Sequence, residues 1–281
     1  MRLVSLVLDL VPGSVIDRSR RLPVLAPILR RVLVAASRPL HGRVVPIAHG
    51  PARGLLLAFD ETSAVWASGK TELPVQHALE RLVEPGSVFF DIGANVGFFT
   101  LLGARLVGSS GKVVAFEPHA ENAERLRRNL ELNSFEHVDV VVQAVSDVSG
   151  DRLLDARHPA TAALMPADDP GPGDGLARVE VTSLDEFLAT RRDLEPDVVK
   201  IDVEGHEVEI VRGMLETLGR RSLVLVCEMH GRDREFVQTL EGAGYRTVGL
   251  DGTVSTGGSA SSGHVLATPE GHWALWEARR V

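Results

Sequence analysis

The sequence predicts a doubly wound, Rossmann-like α/β protein: a mostly parallel seven-stranded sheet with helices on both faces, preceded by an N-terminal helical extension. Three observations predict it. From Pro85 onward, short apolar runs alternate with helical patterns, as a parallel sheet covered on both faces requires. A glycine-rich turn, Asp91-Ile92-Gly93-Ala94-Asn95-Val96-Gly97, follows the first of those runs, at the strand end where such sheets bind ligands. The chain up to Arg53 is rich in arginine, whereas the remainder is acidic.

In the extension, Leu25, Ile28, Leu29, Val32, Leu33 and Ala36 recur at helical spacing between Pro23 and Pro39, with Arg30 and Arg31 on the other side. One amphipathic helix is expected there. It would pack on its own domain or a second subunit, or rest on an anionic membrane surface. Residues 1–53 are therefore taken as a basic extension and 54–281 as one domain with its core in 85–250.

Within that core, Val88–Ile92 reads as a strand, Val96–Val107 as a helix, Val113–Phe116 as a strand and Ala120–Leu132 as a helix. Val138–Val145 is the third strand. Asp151–Val181 breaks the rhythm with Pro159, Pro166, Pro170 and Pro172, which predicts a loop or hairpin insertion near the ligand. A helix capped by Ser183 follows, with Asp185 and Glu186 in its first turn. Val198–Ile201 and Leu223–Cys227 are short apolar strands flanking a helix over Gly205–Leu218. Tyr245–Leu250 and His272–Trp276 read as a closing pair joined by the Gly/Ser-rich Asp251–Gly263.

Composition narrows the function classes. A chain of 281 residues with 44% hydrophobic and 24% charged residues suits a globular domain and is too polar for a multi-span membrane protein. The apolar Met1–Leu10 is interrupted by Asp9 and lacks a small-residue cleavage site, so no export signal is read. A net charge of -8 argues against nucleic acid as partner. The single cysteine, Cys227, forbids an internal disulfide and fits a cytoplasmic location.

At the glycine turn, residues without Cβ let the backbone approach a ligand, and the helix start offers N–H groups to a carboxylate. The second strand ends at Glu117, an acid placed to accept hydrogen bonds from two ribose hydroxyls. An adenosine-type ligand is implied. G-x-x-x-G in place of G-x-G-x-x-G demotes a nicotinamide cofactor, and no Walker-type phosphate loop is present.

These residues resemble the FkbM family of methyltransferases over most of Trp66–Tyr245. The resemblance rests on Phe90–Gly97, Ala115-Phe116-Glu117-Pro118, Asn129 with Leu132-Asn133, Ala144-Val145-Ser146-Asp147, and Val199-Lys200-Ile201-Asp202-Val203-Glu204-Gly205. It implies the sheet of the methyltransferase fold, S-adenosyl-L-methionine as methyl donor, and a hydroxyl oxygen of a small molecule, sugar or natural product as acceptor. It puts the methionine moiety near Asp91, Gly93, Ala94, Asn95 and Gly97, the ribose on Glu117, and the adenine near Ser146 and Asp147. The Gly69…Glu72 pair looks like the family's G-x-x-E segment, with Lys70-Thr71 where an aromatic is common.

Methyl transfer is an in-line displacement that needs a positioned acceptor lone pair and an outlet for the hydroxyl proton. At the fourth strand end, continued extension would put Lys200, Asp202 and Glu204 on one face. Asp202 is assigned to acceptor binding or proton removal, with Lys200 and Glu204 orienting it; a partly desolvated Lys200 could itself titrate low enough to accept a proton. The other reading is a lysine–carboxylate ion pair holding the strand end to the following helix. Glu228 and His230 after the fifth strand form a second candidate base, and His206 opens the next helix. Asp202, Glu204, Glu228 and His230 could also hold a divalent ion, although no compact metal-ligand motif or zinc-type Cys/His cluster is present. An NAD-dependent oxidoreductase and a non-catalytic adenosine-ligand-binding module remain the alternatives from other classes.

Overall fold

The computed structural model describes residues 42–59, 63–157, 162–165, 175–250 and 263–272. The amphipathic helix expected between Pro23 and Pro39 lies outside them, as do 273–276 of the expected last strand.

The chain opens with a hairpin of β1 (Val44–Pro46) and β2 (Leu56–Ala58), then α1 (Ser63–Ser68) and α2 (Leu73–Leu82). The boundary drawn at Arg53 falls inside this hairpin. Ile47, Ala52, Leu55 and Leu57 are buried in the same core as Phe89 and Leu101, while Val45 is buried with Phe59 and Ala67.

The alternating part follows as β3 (Val88–Ile92), α3 (Phe98–Val107), β4 (Lys112–Phe116), α4 (Ala120–Leu132) and β5 (Val138–Val141). After an excursion come β10 (Val198–Ile201), α6 (Glu207–Arg212), α7 (Leu215–Gly219), β11 (Val224–Glu228), α8 (Asp233–Gly242), β12 (Tyr245–Gly249) and β13 (His264–Pro269). The seven-stranded sheet has the order β12-β13-β11-β10-β3-β4-β5. Strands β11, β10, β3, β4 and β5 pair in parallel, and β13 runs antiparallel between β11 and β12. Side chains alternate across it: Phe90 and Ile92 enter one core layer and Phe89 the other. On the first face Phe116 stands between Phe90 and Phe187, with centroids 6.0 and 4.9 Å away; such rings each contribute about 1.5–3 kcal/mol on burial.

The excursion is a second sheet of order β6-β9-β7-β8, built from β6 (Ala144–Ser146), β7 (Gly150–Asp155), β8 (Ala163–Leu164) and β9 (Leu176–Ser183). The expected third strand is thus divided between two sheets at Val142-Gln143. The expected insertion is an antiparallel addition whose β7 and β8 pair Leu154 with Leu164. Ser183 caps α5 (Leu184–Ala189) by accepting from the Glu186 N–H. The helix expected over Gly205–Leu218 is two short helices broken at Gly213-Met214. The closing strand begins at His264 rather than His272, which sits in a 3-10 turn. Among the described residues no helix is long and apolar enough to cross a membrane.

Candidate active site

The parallel strands β3, β4, β10 and β11 end along one sheet edge, where a cavity of about 400 Å³ opens. At the end of β3 the backbone turns through left-handed values, φ 82° at Gly93, 51° at Asn95 and 93° at Gly97. A Cβ on Gly93 would lie 1.8 Å from the Asp202 carbonyl oxygen, so only glycine lets these two strand ends approach. The N–H groups of Gly93 and Ala94 both donate to the Phe116 carbonyl. This fixes the turn against the end of β4.

Glu117 follows directly. Its Oε2 accepts from the Asn95 N–H at 2.7 Å, and its Oε1 accepts from the His119 N–H at 2.9 Å and Asn122 Nδ2 at 3.4 Å. Burial nevertheless pushes its carboxyl up to about 7, against those three donors. It lines the cavity with Gly93 and Asn95.

Asp91, Ala94 and Gly97 are not among the residues lining the cavity. Asp91 is fully buried; its Oδ2 accepts from the Thr100 hydroxyl at 2.6 Å, and Oδ1 lies 3.7 Å from Lys200 Nζ. These positions shape the turn from beneath. Ser146 and Asp147 are likewise absent from the cavity lining, which uses Gln143, Ala144 and Val145 instead. The Ser146 hydroxyl is buried between Asp147 Oδ1 at 3.0 Å and His206 Nε2 at 2.8 Å, so its polar group is spent on the protein. Burial holds the His206 imidazole below its ordinary pKa.

Lys200 pairs in register with Asp91 and donates to Asp202 Oδ2 at 3.2 Å. Its ammonium also sits 4.6 Å over the Phe99 ring. Burial acts to lower the Lys200 pKa, but Asp202, Asp91 and Glu72 overcome it and hold the ammonium above its ordinary value. The expectation of a lysine that titrates low is therefore corrected: three carboxylates outweigh desolvation. Burial alone would raise Asp202, but Lys200, His230 and His264 bring it below the ordinary carboxylate range. The shared face expected for Lys200, Asp202 and Glu204 does not form as drawn, because β10 ends at Ile201 and Glu204 turns left-handed at φ 54°. Asp202 and Glu204 still both line the cavity.

Glu228 ends β11 and faces His264 across the antiparallel pairing. His264 Nε2 lies 3.8 Å from both Glu228 Oε2 and Glu72 Oε2. Glu72 thus stands with Glu228 on either side of His264. His230 Nδ1 is 2.8 Å from the buried Glu207, and its Nε2 is 3.5 Å from Glu204 and 3.9 Å from Glu228. The hydrogen bond to Glu207 raises the His230 pKa to about 9 against the cost of burial. Asp202, Glu228 and His230, and separately Glu72, Glu228 and His264, have ligand-type atoms within 4.8 Å of one another, a spacing a divalent ion can span.

Sequence reasoning missed Trp66, His264, Glu207, Leu154 and Leu164. Trp66 and the Leu154–Leu164 pair line the cavity, while Glu207 and His264 hold its charged groups. His264 is brought in by the pairing of β13 with β11 and the leucine pair by β7 with β8, whereas Trp66 comes from α1 and Glu207 opens α6.

Fold and site together define a seven-stranded α/β domain of the methyltransferase class. The chain belongs to the methyltransferase FkbM domain family, whose model matches residues 91–247. It is 29% identical over 147 residues to the hexuronic acid methyltransferase AglP of Haloferax volcanii, covering 52% of this chain and 57% of that one. It is 30% identical over 207 residues to the 31-O-demethyl-FK506 methyltransferase FkbM of Streptomyces tacrolimicus, covering 62% and 77%. The chain thus spans just over half the length of the Haloferax relative. A crystal structure of methyltransferase FkbM from Methylobacillus flagellatus is similar over 75% of this chain and 56% of that one, at 15% identity and a TM-score of 0.43.

Proposed function

We propose that the chain transfers a methyl group from S-adenosyl-L-methionine to a hydroxyl oxygen of a small molecule. One observation carries the reading: Glu117, Gly93, Asn95 and Asp202 line a single cavity. The residues present fit the donor. Glu117 Oε2 keeps a lone pair for a ribose hydroxyl after its bond from the Asn95 N–H, and Gly93 and Asn95 line the cavity beside it.

The donor, when bound, supplies a methyl on a sulfonium leaving group. Asp202 binds the acceptor hydroxyl, and Lys200 keeps that carboxylate ionised and aimed. As the carbon–oxygen bond forms, the hydroxyl proton becomes strongly acidic. A carboxylate of low pKa can then take it late in the step. His230, protonated at neutral pH, holds Glu204 and Glu228 in place and is unsuited to act as the base. No step of this reading passes through a metal ion.

Calorimetric titration with S-adenosylhomocysteine, beside NADH as control, tests the donor assignment without an acceptor. Saturable binding weakened by Glu117→Ala is expected. A folded protein that binds neither, or NADH alone, would overturn it.

A further inference from the structure

Besides Glu117 and the glycine turn, the cavity lining includes Glu72, Asp202, Glu204, Glu228, His230 and Trp66. Four of these six carry carboxylates. No lysine or arginine lines the cavity among the described residues. Lys200 lies behind the wall, tied to Asp202 and Asp91, and one lining imidazole, His230, is raised into the charged form. The other lining imidazole, His206, is held below its ordinary pKa by burial. Ion pairing within the wall redistributes charge and leaves its sum negative. In a concave, partly desolvated site that sum sets which solutes enter.

Trp66 supplies the complementary surface. Its indole is braced against Phe98 and Phe99, with centroids 5.0 and 6.0 Å away, which makes a fixed apolar plane beside hydrogen-bond acceptors. Carboxylates that accept from neutral hydroxyls, next to a flat apolar wall, suit a polyhydroxyl compound with an apolar face.

We propose that this half of the cavity takes an uncharged hydroxyl compound as methyl acceptor and excludes carboxylate- and phosphate-bearing ones. The proposal rests on the methyl-transfer reading above. It separates this chain from an acceptor of the hexuronic acid kind, whose carboxylate this wall repels.

Two measurements test it, after calorimetry with S-adenosylhomocysteine has decided the donor question on its own. First, in protein carrying Trp273→Phe and Trp276→Phe, Trp66 is the remaining tryptophan, and its fluorescence in the S-adenosylhomocysteine-loaded state is quenched with cesium, acrylamide and iodide at constant ionic strength. Normalised to free N-acetyltryptophanamide, cesium should quench at least about threefold better than iodide. Iodide should gain in Glu228→Gln, and more in Glu72→Gln with Glu228→Gln if that double variant folds. Equal quenching by the two ions would overturn the proposal. Second, labelled methyl transfer is compared between methyl glucoside and methyl glucuronide, with the neutral sugar expected to be favoured by at least about tenfold in kcat/KM. Preference for the uronate would sink it, and if neither sugar is methylated the cesium-to-iodide ratio decides alone.

Discussion

The Asn95 backbone N–H donates to Glu117 Oε2 at 2.7 Å, so the glycine turn after one strand is fastened to the acid that ends the next. Donor site and sheet edge are therefore one mechanical unit. A change at either residue is felt at both.

That coupling carries a pH signature. With its carboxyl near 7 in the fold and near 4.5 otherwise, Glu117 is raised, so its contribution to stability is full below about 4.5 and is lost as pH rises through about 7. The loss amounts to roughly 3 kcal/mol at most. Denaturant unfolding of ligand-free protein between pH 5 and 8 should show this slope, and Glu117→Gln should flatten it. Affinity for S-adenosylhomocysteine should rise from pH 6 to 8 in the unaltered chain, since the ionised carboxylate accepts the ribose hydroxyls better.

Gly93→Ala should destabilise the chain by about 2–4 kcal/mol, because the new Cβ meets a backbone carbonyl at a positive φ. Gly97→Ala should cost less: its Cβ would approach the end of the Leu126 side chain, at 2.2 Å from Cδ1, which can rotate away. Thermal unfolding of the two variants in parallel checks the order.

Lys200→Met should cost about 3–5 kcal/mol, because it leaves the fully buried Asp91 and the half-buried Asp202 without their cation. Asp202→Asn should be far milder in unfolding experiments and should bind S-adenosylhomocysteine within about threefold of the unaltered chain. Loss of methyl transfer by more than about a hundredfold in Asp202→Asn would fit its role at the acceptor.

His230 responds in the same direction over a higher pH range. Its folded pKa of about 9 stands above the ordinary 6.5, so the stability it contributes is complete below about 6.5 and disappears as pH rises through about 9. Glu207→Gln should lower that pKa by at least about one unit, read from the imidazole resonances of His230 by NMR. An unchanged titration would show that Glu204 and Glu228 suffice.

What the sequence made legible was local. The strand Val88–Ile92, the turn Gly93–Gly97 and the acid Glu117 lie within one stretch of chain, where apolar period and glycine placement report geometry directly. Asp202 was legible for the same reason, standing one residue beyond a strand whose ends were read correctly. His264 was not, because its place beside Glu228 is set by an antiparallel strand inserted between two others. Reading the closing strand at His272–Trp276 followed a plausible alternation; the pairing instead uses His264–Pro269, directly after the Gly/Ser-rich connector. The low-titrating lysine failed on a similar count, since its outcome depended on how many carboxylates three separate elements would bring.

The hairpin at the start of the described chain carries a further consequence. Ala58 N–H donates to Asn129 Oδ1 at 2.8 Å, Leu56 N–H to Asn133 Oδ1 at 2.9 Å, and Asn133 Nδ2 returns a bond to the Leu56 carbonyl at 2.8 Å. Two amides one helical turn apart on α4 thus stand in for a missing strand along β2. An unsatisfied strand edge is a template for pairing with another chain, and here it is closed before any second molecule can reach it. Asn129 also donates to the Val96 carbonyl at 2.8 Å, so the residue that covers this edge is tied to the end of the Gly93–Gly97 turn. Selection for a well-held ligand turn and selection for a chain that stays monodisperse while folding would fall on the same asparagine.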